Sequence, residues 1–206
     1  MPQIRHCRVS RVRTSAPVES GAALDDLRFI RQTLENSTSF TAVPGWGMLA
    51  MAGIAAVAAA VAWRQPGFDN WCVVWMVAAV VALSTALVTM HRKATRAGVT
   101  LFSGPGRKFV LNFLPPLMVG ALLTLVLYRA GAVRTIPGMW MLLYGTGVVS
   151  GGAFSVRIVP AMGLCFMGMG AVALLAPVTW TNWFMIAAFC GLHLGFGWAI
   201  ARKYGG

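Results

Sequence analysis

The chain has 206 residues, 58% of them hydrophobic and only 11% charged, with a formal net charge of +12. A soluble domain carries about 25% charged residues, so this chain lacks the polar surface to cover itself in water. The excess positive charge flanks apolar segments and forms no dense, aromatic-interleaved patch, so nucleic acid is excluded as a partner in favour of a lipid bilayer.

Residues 1–19 are basic and contain no apolar core of the kind a secretory signal requires, which predicts a flexible cytoplasmic tail. Its four arginines can touch anionic headgroups. Residues 20–44 form a different element. Ser20 can cap a helix, Asp25 and Asp26 sit in its first turns, and Leu24, Leu27, Ile30 and Leu34 recur at helical spacing. Over 20–36 this is a short amphipathic helix whose apolar stripe needs cover from membrane, bundle or another protein. A linker then leads to the first apolar segment.

Residues 45–206 read as a transmembrane bundle. Apolar runs at about 45–63, 71–90, 109–128, 138–152, 158–175 and 182–200 are long enough, at ~1.5 Å per residue, to approach or cross ~30 Å of hydrocarbon. The expected fold is therefore all-α, a polytopic bundle of about six spans. A basic segment, His91 to Lys108, separates the second span from the third. Pro115 and Pro116 remove two backbone donors from the third, predicting either a kink or an interfacial stub ahead of a helix that starts at the prolines.

Basic residues orient the bundle. With the N-terminus inside, fourteen of the 17 lysines and arginines are cytoplasmic, and only Arg64, Arg129 and Arg134 lie outside. This bias places both termini in the cytoplasm and requires an even number of spans. Trp46, Trp63, Trp71, Trp140, Trp180, Trp183 and Trp198 fall near span ends, as an interfacial aromatic belt requires.

Sites of chemistry are sparse. No Asp, Glu, Lys or Arg lies in the middle of a span, which counts against ion-coupled transport. Cys7, Cys72, Cys165 and Cys190 show neither CxxC spacing nor a paired histidine, so they read as unpaired thiols. The segment Ser103-Gly-Pro-Gly-Arg-Lys108 lacks the spacing and setting of a phosphate loop and reads as a turn with two headgroup anchors. No catalytic triad, carboxylate pair or metal cluster is present, so no enzyme activity, metal or cofactor is expected. His193, about two turns from the end of the last span, is the one histidine well inside the membrane. A neutral imidazole bonded to a neighbouring helix is the main expectation, with a haem or pigment ligand as the minor one. Gly147 with Gly151, and Gly191 with Gly195, are spaced to let helices approach closely, within one bundle or across a homodimer.

The strings Leu27-Arg-Phe-Ile-Arg31, Phe40-Thr-Ala-Val-Pro-Gly-Trp-Gly47, Phe102-Ser-Gly-Pro-Gly-Arg107, Gly151-Gly-Ala-Phe-Ser-Val-Arg157 and Ala201-Arg-Lys-Tyr-Gly-Gly206 resemble an uncharacterised family of small polytopic bacterial inner-membrane proteins. The resemblance covers about residues 24 to 206. It implies location in a bacterial inner membrane and supplies no mechanism. The functional expectation is a non-catalytic membrane protein acting through a protein partner, as an accessory subunit or regulator, with Leu24, Leu27, Ile30 and Leu34 as the handle. The alternative is a transporter or channel for a small or lipophilic solute.

Overall fold

The computed structural model of the chain describes residues 25–30, 43–96, 98, 104–153 and 155–204. Two compact units are present, Met1–Ser37 and Thr38–Gly206. In the first, residues 25–30 are helical and exposed, and Arg28 Nη1 donates to Asp25 Oδ1 at 3.2 Å, one turn away. Leu24 and Leu34 lie outside the described residues.

The second unit is an all-α bundle. Its helices are α1 (Gly45–Ala62), α2 (Phe68–Arg96), α3 (Gly104–Arg129), α4 (Ile136–Gly152), α5 (Ile158–Leu175) and a composite α6. The last begins as Thr181–Met185, passes through a π-helical stretch, Ile186–Leu192, and ends as His193–Tyr204. Among the described residues five of these are long and apolar enough to cross a membrane. The remaining one, α4, has 17 residues, the lower limit of the ~17–25 that a span needs.

Two boundaries differ from expectation. Helix α2 continues through His91 to Arg96, where a basic loop was expected. Met90 and Ala94 are buried, and Lys93 Nζ donates to the carbonyls of Val43 and Tyr204, both at 3.2 Å. The extra turns are therefore held by packing and by an ammonium that ties together the start of α1 and the end of α6. In α3 the prolines lie inside one helix of 26 residues, so the stub reading is set aside.

Water drives no association between helices in lipid, so close van der Waals approach must do it. Glycine supplies that approach between α4 and α5. A Cβ on Gly145 would stand 2.6 Å from the Gly163 carbonyl oxygen, and one on Gly163 would stand 2.7 Å from that of Gly145. Gly138 and Gly170 repeat the pairing seven residues along each helix, with a Gly170 Cβ falling 2.9 Å from the Gly138 oxygen. At these glycines the two backbones come close, and Leu174, Met167 and Val149 pack against the space a Cβ would take.

The helices are ordered in space as α2, α1, α6, α5, α4, α3. Helix α2 packs on α1, and α3 packs on α4. Although consecutive in the chain, α2 and α3 have no extended packing against each other. They are joined at one end, where the Tyr128 hydroxyl donates to Asp69 Oδ1 at 2.9 Å. The bundle is thus an open arc whose two ends are α2 and α3.

Candidate functional site

Aromatic residues from five helices meet inside the arc. Trp71 and Trp75 come from α2, Phe109 and Phe113 from α3, Tyr144 from α4, Phe166 from α5, and Phe189 with His193 from α6. Successive rings lie within aromatic contact range: Trp71 to Trp75 at 6.1 Å, Trp75 to Phe189 at 6.0 Å, and Phe189 to Tyr144 at 5.5 Å. From Tyr144 the series continues to Phe113 at 5.9 Å and Phe109 at 5.8 Å beyond it.

His193 sits at the junction, only 3% exposed. Its ring is 5.4 Å from Phe166 and 5.5 Å from Tyr144. Nδ1 lies 2.9 Å from the Phe189 carbonyl oxygen, and Nε2 lies 2.7 Å from the Tyr144 hydroxyl. A carbonyl only accepts, so Nδ1 must carry the proton, and the neutral ring then accepts from Tyr144 at Nε2. Both nitrogens are engaged. A haem or pigment metal at His193 would have to displace the tyrosine, so the donor set fits a structural imidazole better than a metal ligand. Among the described residues no three His, Cys, Asp or Glu groups stand close enough to hold a metal.

The π-helical stretch accounts for the position of this histidine. An i→i+5 turn inserts one residue relative to an α-helix and rotates everything after it. Within the bundle, the close approach of this helix falls on a different glycine from the pair picked out in the sequence. Gly191 and Gly195 are exposed, and a Cβ on Gly195 would meet nothing within 4 Å. Gly197 makes the close approach instead, where an added Cβ would stand 2.8 Å from Met48 of α1. Gly147 and Gly151 do face a neighbour: a Cβ on either would lie 3.0 Å from the Phe113 or the Phe109 carbonyl oxygen of α3.

A cavity of about 490 Å³ adjoins the histidine, within the ~300–1,000 Å³ range of small-molecule sites. Met51 and Ile54 of α1, Met162 of α5 and Met185 of α6 help line it, together with His193 and Tyr144. None of its lining residues carries a formal charge. Asn112 does not line it; its Nδ2 donates to the Lys108 carbonyl of its own helix at 2.7 Å.

Two of the seven expected belt tryptophans turn inward. Trp71 Nε1 donates to Asn182 Oδ1 at 2.7 Å, and Trp140 Nε1 to Thr124 Oγ1 at 2.9 Å. Sequence reading missed Tyr144, Trp75 and Phe166. The sole signal for them was an aromatic residue away from a span end, which by itself looks like ordinary core.

Fold and cavity define a polytopic α-helical membrane protein with an internal apolar chamber. Searches against protein families, curated proteins and solved structures find no match for this chain.

Proposed function

We propose that this protein binds a lipophilic solute inside its bundle and moves it within or across a bacterial inner membrane, without catalysis. The observation that carries this reading is the uncharged cavity of about 490 Å³ that reaches the His193–Tyr144 pair. Its apolar wall favours hydrocarbon, and its few polar groups can orient a ligand. The positive-inside bias supports both termini on the cytoplasmic side.

The test is photolabelling of the protein in lipid nanodiscs with an alkyl diazirine. Met162 and Met185 line the cavity and are each only 4% exposed. Adducts on these two methionines, competed by excess unlabelled alkane, are the expected result. Labelling confined to outward residues such as Val57 and Leu175 overturns the reading, since those are exposed to any surrounding lipid.

A second reading keeps the partner expectation. Leu27 and Ile30 are 62% and 52% exposed on the helical turn at residues 25–30. Apolar side chains displayed on a short helix suit an interaction with another protein in an accessory or regulatory role. The two readings are compatible, because the surfaces are separate in sequence.

A further inference from the structure

The cavity has one polar atom with nothing to do. Among the described residues, the indole Nε1 of Trp75 is the single buried side-chain nitrogen or oxygen without a hydrogen-bond partner. Trp75 is 6% exposed and lines the cavity. The other inward tryptophans, Trp71 and Trp140, each donate to a side-chain oxygen. Tyr144 and His193 satisfy each other. A buried donor that lacks an acceptor is unfavourable, most of all away from water, and it stands on the wall of a chamber with room for an acceptor.

The chamber is also open on one side. Val80 and Leu83 of α2, and Leu114 and Met118 of α3, line the cavity and are at the same time exposed, Val80 to 66% and Met118 to 65%. These residues flank the gap between the two helices that do not pack together. The gap faces the surroundings along the length of the spans, where those surroundings are lipid. With no charged residue in the lining, an ionised headgroup inside would be unpaired.

We infer that the cavity holds a neutral, largely hydrocarbon molecule bearing a carbonyl oxygen, that this molecule enters sideways from the bilayer between α2 and α3, and that its oxygen accepts the Trp75 Nε1 proton. The inference rests on the binding reading above and names its ligand class. Two kinds of membrane molecule carry this chemistry: a diacylglycerol, through its ester carbonyl, and a prenyl quinone, through its ring carbonyl.

The test uses the full chain in nanodiscs of diether lipid, whose alkyl chains are joined to glycerol by ether bonds and so bring no carbonyl. Indole ¹H–¹⁵N spectra contain one resonance for each of the eight tryptophans, and Trp75→Phe identifies its own by loss of one peak while the other seven certify the fold. Decylubiquinone and a diacylglycerol are then added separately, with decylbenzene as the hydrocarbon control. The expected result is a downfield shift of the Trp75 indole proton with one carbonyl probe and none with decylbenzene. The probe that shifts it identifies the source. Trp75→Phe should weaken that probe's binding about tenfold, the effect of one buried hydrogen bond, and leave decylbenzene unchanged.

Binding of all three probes with a static Trp75 resonance overturns the carbonyl assignment and leaves the binding reading standing. No binding of any probe above protein-free nanodiscs removes both. Ala121→Phe, at the exposed α3 rim of the cavity, tests the route. Undiminished occupancy by the active probe in that variant overturns the lateral opening.

Discussion

The Tyr144 hydroxyl lies 2.7 Å from Nε2 of His193, joining α4 to α6 across 49 positions of sequence in the centre of the bundle. This contact closes the hydrogen bonding of a histidine that would otherwise leave a buried ring nitrogen bare. Tyr144→Phe keeps the ring and removes the donor. Interhelical hydrogen bonds in membranes contribute about 0.6 kcal/mol on average, with a maximum near 1.7. The expected loss is about 1 kcal/mol, read from reversible unfolding in mild detergent. In a double-mutant cycle with His193→Leu the two losses should be strongly non-additive; simple additivity would show that the pair does not interact.

The glycine seam between α4 and α5 makes a sharper demand. Gly163→Leu must push a side chain into the Gly145 carbonyl, which stands 2.7 Å from where the Cβ would go. Overpacking of this kind costs on the order of 3 kcal/mol, so little folded protein should survive extraction. Gly168→Leu, on the same helix, projects into open space and should behave as wild type. Equal yields for the two variants would argue against the seam.

Lys93 is a fastener between chain segments. Its ammonium reaches the carbonyls of Val43 and Tyr204, and hydrogen bonds to charged donors contribute about 1.5–3 kcal/mol each when buried. Lys93 is only half-buried, so the cost of Lys93→Met should fall near the lower value. The effect should be local: limited proteolysis should release the residues after His193 several times faster, while the glycine seam stays intact. An unaltered digestion rate would show that packing alone holds this end.

The partner reading makes its own prediction. Leu27→Asp or Ile30→Asp places a carboxylate on the exposed apolar turn, and a specific co-purifying protein should disappear while the bundle still inserts. Both variants retaining the same partners would end that proposal. Because the cavity lies elsewhere in sequence, photolabelling of Met162 and Met185 should be unaffected in either variant.

The sequence by itself determined where the helices lie. Runs of about 20 apolar residues bounded by Arg, Lys, Pro and Gly delimit the spans to within a few residues, because the thickness of hydrocarbon sets their length and unsatisfied backbone forbids anything but helix there. His193 was visible as the one histidine deep in a span, and Gly147 with Gly151 as a close-packing face. The tertiary structure decided which faces meet. A lipid-immersed helix is apolar all round, so hydrophobic periodicity carries little information about which side finds a neighbour. That is why, within the bundle, the close approach of α6 to α1 falls on Gly197 and not on Gly191 or Gly195. It is also why Tyr144, a residue with no distinguishing neighbours in sequence, becomes the partner of His193. The separation of α2 from α3 and the unpartnered indole of Trp75 arise from long-range arrangement, which local residue pattern does not encode.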